Sequence, residues 1–206
     1  MGTFKVCTGV MNSAKTLRAL SEIFNLELEG IRYLTMKSSQ DTRDGAFITS
    51  RLIEKKAKVE IMIGPDDHID VQKILKENYK YIIVDECHML TCQQIKDLYK
   101  ISAISNTCVS LYGLKMSYTG EPFPSISLAL GYADKIEMVD KEDADGHLLT
   151  HHIKFLNGLP CDISEDVELI DPGFTEGEKN KNKNVITYKP VSKEDFYKIY
   201  GILNKI

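Results

Sequence analysis

The sequence predicts an α/β fold in which a mostly parallel sheet carries helices on its faces. Short, almost continuously apolar runs indicate strands that are buried on both faces, as in a parallel sheet. Amphipathic patterns separate several of these runs, so strand and helix alternate up to about residue 133. A polar, turn-rich character follows, which predicts a smaller second unit.

The elements of the first unit follow from the spacing of apolar residues. The predicted strands are Phe4 to Thr8, Ile31 to Met36, Val59 to Ile63, Tyr81 to Val84 and Thr107 to Tyr112. The predicted helices are Ala14 to Phe24, Ile69 to Asn78 and Thr91 to Ile101, the last with Thr91 as its N-cap.

The second unit begins at about residue 137. We therefore divide the chain into a nucleotide-binding unit, residues 1–136, and a small loop-rich unit, residues 137–206. Residues 171–184 are rich in charge and turn formers and predict a loop, flanked by β-like pieces at Ile153 to Leu156 and Val185 to Tyr188. The sequence from Ser192 to Ile206 predicts a helix.

Composition excludes several classes of protein. The net charge of −4 over 206 residues provides no basic field for nucleic acid or membrane. No apolar run approaches the roughly 20 residues of a membrane span, and the beginning of the chain lacks a signal-peptide pattern. The five cysteines include no C-x-x-C pair, which favours reduced thiols over a cysteine metal site. We expect a cytoplasmic protein.

The segment after the first strand has the spacing of a phosphate-binding loop, G-x-x-x-x-G-K-[ST], with Ala14 at the second glycine. Backbone N–H groups at the helix start would surround a triphosphate, Lys15 would reach its β and γ oxygens, and the hydroxyl of Thr16 would bind Mg²⁺. An ordinary strand–turn–helix with a surface lysine is the alternative, since alanine is disfavoured at positive φ. The residues expected to bind ATP here are Gly9, Met11, Asn12, Ser13, Ala14, Lys15 and Thr16.

Two carboxylates end the fourth predicted strand. Asp85 is a candidate for binding Mg²⁺, and Glu86 is a candidate general base for an attacking hydroxyl. A strand that simply ends in solvated acids is the alternative. Asp85-Glu86-Cys87-His88 also spells a helicase-type box, but the chain is acidic and short for a helicase.

Further segments make the chain resemble the type II thymidine kinase family of cytosolic, bacterial and viral enzymes. The similarity runs from Phe4 to about Gly158 and depends on the order and spacing of several motifs. Besides the phosphate loop and Asp85-Glu86, these are Asp41-Thr42-Arg43, Tyr112-Gly113-Leu114-Lys115, Gly120-Glu121-Pro122-Phe123-Pro124 and Ala133-Asp134-Lys135-Ile136.

The resemblance implies an ATP:thymidine 5′-phosphotransferase with a RecA-like phosphate-loop sheet, a lasso-type small unit and a homotetrameric assembly. It implies that Glu86 activates the 5′-hydroxyl and that Arg43 acts at the phosphoryl-transfer site. Asp85 and Thr16 would hold Mg²⁺ through phosphates or water. The residues that the resemblance places against the nucleoside are Met11, Asp41, Leu114, Tyr118, Phe123, His152 and Tyr188.

The small unit departs from the family pattern. The positions of the four zinc ligands fall on Asp143 and Asp145 and near Phe196 and Ile199, so we expect no zinc. His152 replaces a residue that usually meets the base, and the lasso lacks its glycine pair. Two alternatives therefore stay open, namely a nucleotide-sequestering protein derived from such a kinase and a kinase for another deoxynucleoside.

Overall fold

A computed structural model of the chain describes residues 1–163 and 185–201. The predicted loop at residues 171–184 and the predicted helix end beyond residue 201 lie outside these residues. Within the described ranges, no helix combines the length and the apolar character that crossing a membrane requires.

The central sheet contains six parallel strands. Numbered along the chain together with a separate hairpin, the strands are β1 (Phe4–Gly9), β2 (Tyr33–Ser38), β3 (Phe47–Ser50), β4 (Ile53–Lys58), β5 (Ile61–Ile63), β6 (Tyr81–Asp85), β7 (Cys108–Leu114) and β8 (Lys135–Val139). The spatial order of the sheet is β5-β2-β6-β7-β1-β8, and β3 pairs antiparallel with β4. The carboxyl ends of the six strands therefore share one edge, and the predicted α/β class is confirmed.

Helices cover both faces of this sheet. They are α1 (Lys15–Leu28), α2 (Val71–Glu77), α3 (Cys92–Ile104) and α4 (Pro124–Tyr132), with a 3₁₀ turn at Cys87–Met89. Successive side chains of β6 enter different apolar clusters. Ile82 and Val84 pack in a cluster with Leu98 of α3, whereas Ile83 packs in a second cluster with Leu20 of α1. This alternation explains the continuous apolar run, because a strand covered on both faces has no solvated side.

The start of α3 shows how local sequence sets a helix boundary. The Thr91 hydroxyl accepts a hydrogen bond from the Gln94 amide, and the Gln94 side chain accepts one from the Thr91 amide, so the predicted N-cap is confirmed. The Gln94 side-chain amide also donates to the carbonyls of Gly64 and Asp67, at 2.8 and 2.9 Å. The cap therefore joins α3 to the segment that follows β5.

The sequence prediction missed the hairpin strands β3 and β4, the helix α4 and the edge strand β8. The helix α4 begins with a proline at its first turn, a position where the missing N–H costs nothing. The edge strand β8 exposes Ile136 and Met138, so it lacks the continuous buried run of the inner strands. The start of β8 is tied to β1 by Asp134, whose carboxylate accepts a hydrogen bond from the Phe4 amide at 2.8 Å.

A small antiparallel sheet follows the central one, and we call it the small sheet. It consists of β9 (Leu149–Leu156), β10 (Leu159–Pro160) and β11 (Ile186–Ser192) in the order β10-β9-β11, followed by α5 (Lys193–Ile199). Ser192 caps α5 by accepting from the Asp195 amide at 3.1 Å. Ile153, Val191 and Phe196 form its buried core.

Candidate functional site

A cavity of about 460 Å³ opens at the carboxyl edge of the central sheet. The phosphate loop after β1, the end of β6, the segment after β7 and the small sheet all contribute to its lining. The structure describes all of the predicted site residues. Among them, Gly9 is the one that does not line the cavity. The others that line it are Met11, Asn12, Ser13, Ala14, Lys15, Thr16, Asp41, Arg43, Asp85, Glu86, Leu114, Tyr118, Phe123, His152 and Tyr188.

Gly9 serves the site through close packing. A Cβ atom built on it would lie 2.5 Å from the Val139 carbonyl oxygen and 2.9 Å from the Ser13 hydroxyl. Any side chain here would push β8 away from β1. The glycine therefore lets the phosphate loop leave the sheet directly beside its edge strand.

The phosphate loop curls around the end of its own lysine. The ammonium of Lys15 is buried and donates to the Val10 carbonyl at 2.5 Å and to the Ser13 hydroxyl at 3.4 Å. Asn12 and Ala14 both adopt left-handed backbone conformations, with φ of 56° and 66°. These bends bring the unpaired amides at the start of α1 to the cavity, which is a favourable arrangement for anionic oxygens.

We expect Ala14→Gly to raise the free energy of unfolding by about 1 kcal/mol, because alanine is strained in the left-handed region and glycine is not. Urea denaturation of the two proteins measures the difference. Ala103→Gly in α3 is the matched control and should have the opposite sign, since that backbone is helical. Equal destabilisation by both changes would contradict strain at Ala14.

The end of β6 places two carboxyl groups in the cavity wall. Asp85 is 4% exposed, and burial together with the charge of Glu86 raises its pKa to about 7. Glu86 follows in a left-handed conformation with φ of 50°, which turns its side chain out of the strand alternation. Burial lowers the pKa of Lys15, but the charges of Glu86 and Asp85 oppose that change. The lysine and both acids thus share one electrostatic environment.

A chain of ion pairs connects β2 with Glu86. Lys37 contacts Asp41 at 2.7 Å, the Asp41 carboxylate accepts from Arg43 Nε at 2.7 Å, and Arg43 Nη2 donates to Glu86. Lys37 and Asp41 are each 1% exposed. Burial raises the pKa of Asp41, but its bonds to Arg43 and Lys37 outweigh burial and leave that pKa below its ordinary value. The carboxylate is therefore ionised between two cations.

Sequence reasoning missed Lys37, although a signal was present. Lys37 directly follows the predicted strand that ends at Met36, and it lies four residues before Asp41. A charged residue at the carboxyl end of a buried parallel strand faces the ligand-binding edge of such a sheet. Its position therefore marks it as a site residue.

His88 was also missed as a site residue. Its Nδ1 accepts from the Leu114 amide at 3.3 Å and lies 3.5 Å from a Glu86 oxygen, and its ring is tilted against Phe123 with centroids 4.7 Å apart. Burial lowers the pKa of His88 to about 4, so the ring is neutral. The close packing of the Cys87–His88 segment against β7 needs Gly113, because a Cβ atom there would lie 2.8 Å from the Cys87 sulfur.

One wall of the cavity is aromatic and apolar. Tyr118 and Phe123, each 4% exposed, and Leu114 all line the cavity. The ring of Tyr118 lies 6.2 Å from that of Tyr188 on β11, and the Lys154 ammonium lies 4.9 Å from its centroid. A planar aromatic ligand with a polar edge matches this wall, since flat rings pack well between such side chains.

A second group of candidate metal ligands lies outside the cavity. One ligand atom each from Asp143, Asp145 and His147 lies within 4.8 Å of the others. The Asp143 carboxylate already accepts from the amides of Asp145 and His147, both at 2.9 Å. These bonds are those of a polar turn.

Comparison with known proteins gives consistent matches. The sequence model of the family described as thymidine kinase matches residues 2–141. A thymidine kinase from Ureaplasma parvum serovar 3 is 28% identical over 170 residues, which cover 81% of this chain and 75% of that protein. A thymidine kinase from Streptococcus pyogenes serotype M3 is 30% identical over 132 residues, which cover 64% of this chain and 69% of that protein.

Proposed function

Since the chain belongs to the thymidine kinase family, we propose that it transfers the γ-phosphoryl group of ATP to the 5′-hydroxyl of thymidine. One observation supports this reaction above all. A single cavity is lined by Lys15 and Thr16 of the phosphate loop and by Asp85 and Glu86 at the end of β6. Phosphoryl transfer needs a cation for the phosphates, oxygen ligands for Mg²⁺ and a group that orients the attacking hydroxyl.

The loop residues and Asp85 hold the nucleotide in this proposal. Lys15 exchanges the Val10 carbonyl for phosphate oxygens, and the amides at the start of α1 donate to the same anion. The hydroxyl of Thr16 and the buried carboxylate of Asp85 suit a hard divalent cation, which prefers oxygen ligands. When bound, Mg²⁺ neutralises charge on the transferring phosphoryl group.

Glu86 accepts the proton of the 5′-hydroxyl in this proposal. Burial raises its pKa, but the positive charges of Arg43 and Lys15 oppose burial, and the pKa lies below its ordinary value. The carboxylate is therefore ionised and able to accept a hydrogen bond. Arg43, which already touches Glu86, is placed to stabilise negative charge that develops during transfer.

Nucleoside recognition is assigned to the aromatic wall. Met11, Leu114, Tyr118, Phe123 and Tyr188 all line the cavity. They provide flat and apolar contact area for a thymine ring. Asp41 supports the transfer site through its bond to Arg43.

The experiment follows transfer of label from γ-labelled ATP to thymidine, with the other deoxynucleosides as competitors. Labelled thymidine monophosphate, with thymidine as the best competitor, is the expected result. Tight binding of both ligands with no transfer would favour the nucleotide-sequestering alternative. Preferential labelling of a different nucleoside would instead assign another deoxynucleoside kinase.

We also infer that the enzyme acts in the cytoplasm as a homotetramer, does not bind nucleic acid directly, and holds no zinc at the family's positions. The side chains at those positions support the last point. Phe196 is 1% exposed, and its ring packs 4.7 Å from that of His151, so a hydrocarbon occupies one ligand position. Asp143 and Asp145 occupy two others, whereas structural zinc sites favour cysteine and histidine. Metal analysis of the purified protein tests the absence of zinc, and sedimentation tests the homotetramer.

A further inference from the structure

His152 joins the small sheet to the phosphate loop. It lies on β9, is 2% exposed, and its Nε2 accepts a hydrogen bond of 2.8 Å from the Met11 amide, 141 positions away in sequence. The family resemblance places His152 against the base of the nucleoside. In the structure its Nε2 contacts the main chain of the phosphate loop.

The ring is neutral and has a defined tautomer. Burial and the nearby charge of Lys15 lower the pKa of His152 to about 3. Because Nε2 accepts from Met11, the ring proton is on Nδ1, which is the nitrogen left for the hydrogen bond with the Met116 backbone. The imidazole is thus held by two main-chain segments, one after β1 and one after β7.

The bond to Met11 fixes one particular peptide group. The Val10 carbonyl and the Met11 amide belong to the same peptide unit, which Lys15 holds at its oxygen and His152 holds at its nitrogen. When Lys15 turns to phosphate, the hydrogen bond to His152 is the one side-chain contact that the described part of the chain still gives this peptide. A peptide group that is free to rotate would alter the path of the loop around the anion.

The small sheet links His152 to the residues assigned to the nucleoside. His152 pairs with Pro190 of β11, and the same strand contributes Thr187 and Tyr188 to the cavity wall. A nucleoside that contacts Thr187 and Tyr188 therefore bears on the strand pair that holds His152 against the Val10–Met11 peptide.

We propose that His152 is a positioning residue that couples the two substrates, so that thymidine bound at the small sheet strengthens the binding of ATP at the phosphate loop. The proposal depends on the proposed function, since it needs both ligands in this cavity. Coupling of this kind is reciprocal and commonly changes affinity by roughly 5–150-fold. In this proposal the coupling depends on the Nε2 atom of His152, which accepts the hydrogen bond from Met11.

The test titrates the full-length protein with a non-hydrolysable ATP analogue, with and without saturating thymidine, by calorimetry. For the native protein we expect thymidine to tighten analogue binding by at least about 5-fold. His152→Leu keeps much of the volume but removes the acceptor, and we expect less than about 2-fold tightening. His152→Gln offers an amide oxygen at similar reach and should restore most of the effect.

His151→Leu is the matched control. His151 is the neighbouring buried histidine of β9, but its ring packs against Phe196 rather than lining the cavity. We expect this change to lower the melting temperature and to leave the coupling intact, which a merely structural role of His152 would not explain.

The outcomes separate the two proposals. Native-like coupling in His152→Leu, or no coupling in a native protein that binds and phosphorylates thymidine, overturns the role of His152 alone. A native protein that binds neither ligand overturns the proposed function itself.

Discussion

Replacing Glu86 with glutamine is expected to lower kcat for thymidine phosphorylation by about 10²–10⁴-fold, the usual contribution of a general base. The amide keeps the shape of the side chain but cannot take the proton of the 5′-hydroxyl. Thymidine affinity should change little, because the aromatic wall of the cavity is untouched. Initial rates, together with direct binding of thymidine, measure the two effects separately.

Glu121→Gln provides the matched control for this experiment. Glu121 is exposed and lies in the segment before Phe123, outside the cavity lining, so its change of charge is equal but remote from the reaction. We expect native kcat. A Glu86→Gln protein with nearly native kcat would show that Glu86 is not the base. It would leave Arg43 and the phosphate loop as the main contributors to the rate.

Asp41→Asn is expected to lower the free energy of unfolding by about 3–5 kcal/mol, which is typical when one partner of a buried ion pair is removed. Lys37 would remain 1% exposed and would lose its ion pair at 2.7 Å, keeping the Phe47 carbonyl at 3.2 Å and the weaker influence of Asp85. Arg43 would also lose its ion pair with Asp41 and keep the one with Glu86. Urea denaturation followed by circular dichroism measures the loss.

Two further variants test whether loss of the buried ion pair causes the destabilisation. Asp44→Asn changes an exposed aspartate of the same loop and should alter stability by less than about 0.5 kcal/mol. The double variant Lys37→Met, Asp41→Leu removes both buried charges and should recover part of the loss. If Asp41→Asn costs no more than Asp44→Asn, the buried pair does not hold this loop.

Local sequence was sufficient for the inner strands and for part of the site. Strands β1, β2, β6 and β7 are recognisable because most of their side chains are buried on one face or the other, which requires a nearly continuous apolar sequence. The edge strand β8 was not recognised, since half of its surroundings are solvent. The phosphate loop is similarly local, because eight consecutive residues carry the whole spacing.

The sequence by itself determined the α/β class, the position of the glycine-containing loop between β1 and α1, and the two acids at the end of β6, since each depends on residues within one short segment. Only the tertiary structure decided that Lys37 neutralises Asp41, that Arg43 binds Glu86, and that His152 supports Met11. These contacts join segments brought together by strand order and by packing of the small sheet. Their energies depend on burial and distance, which arise only when the chain folds.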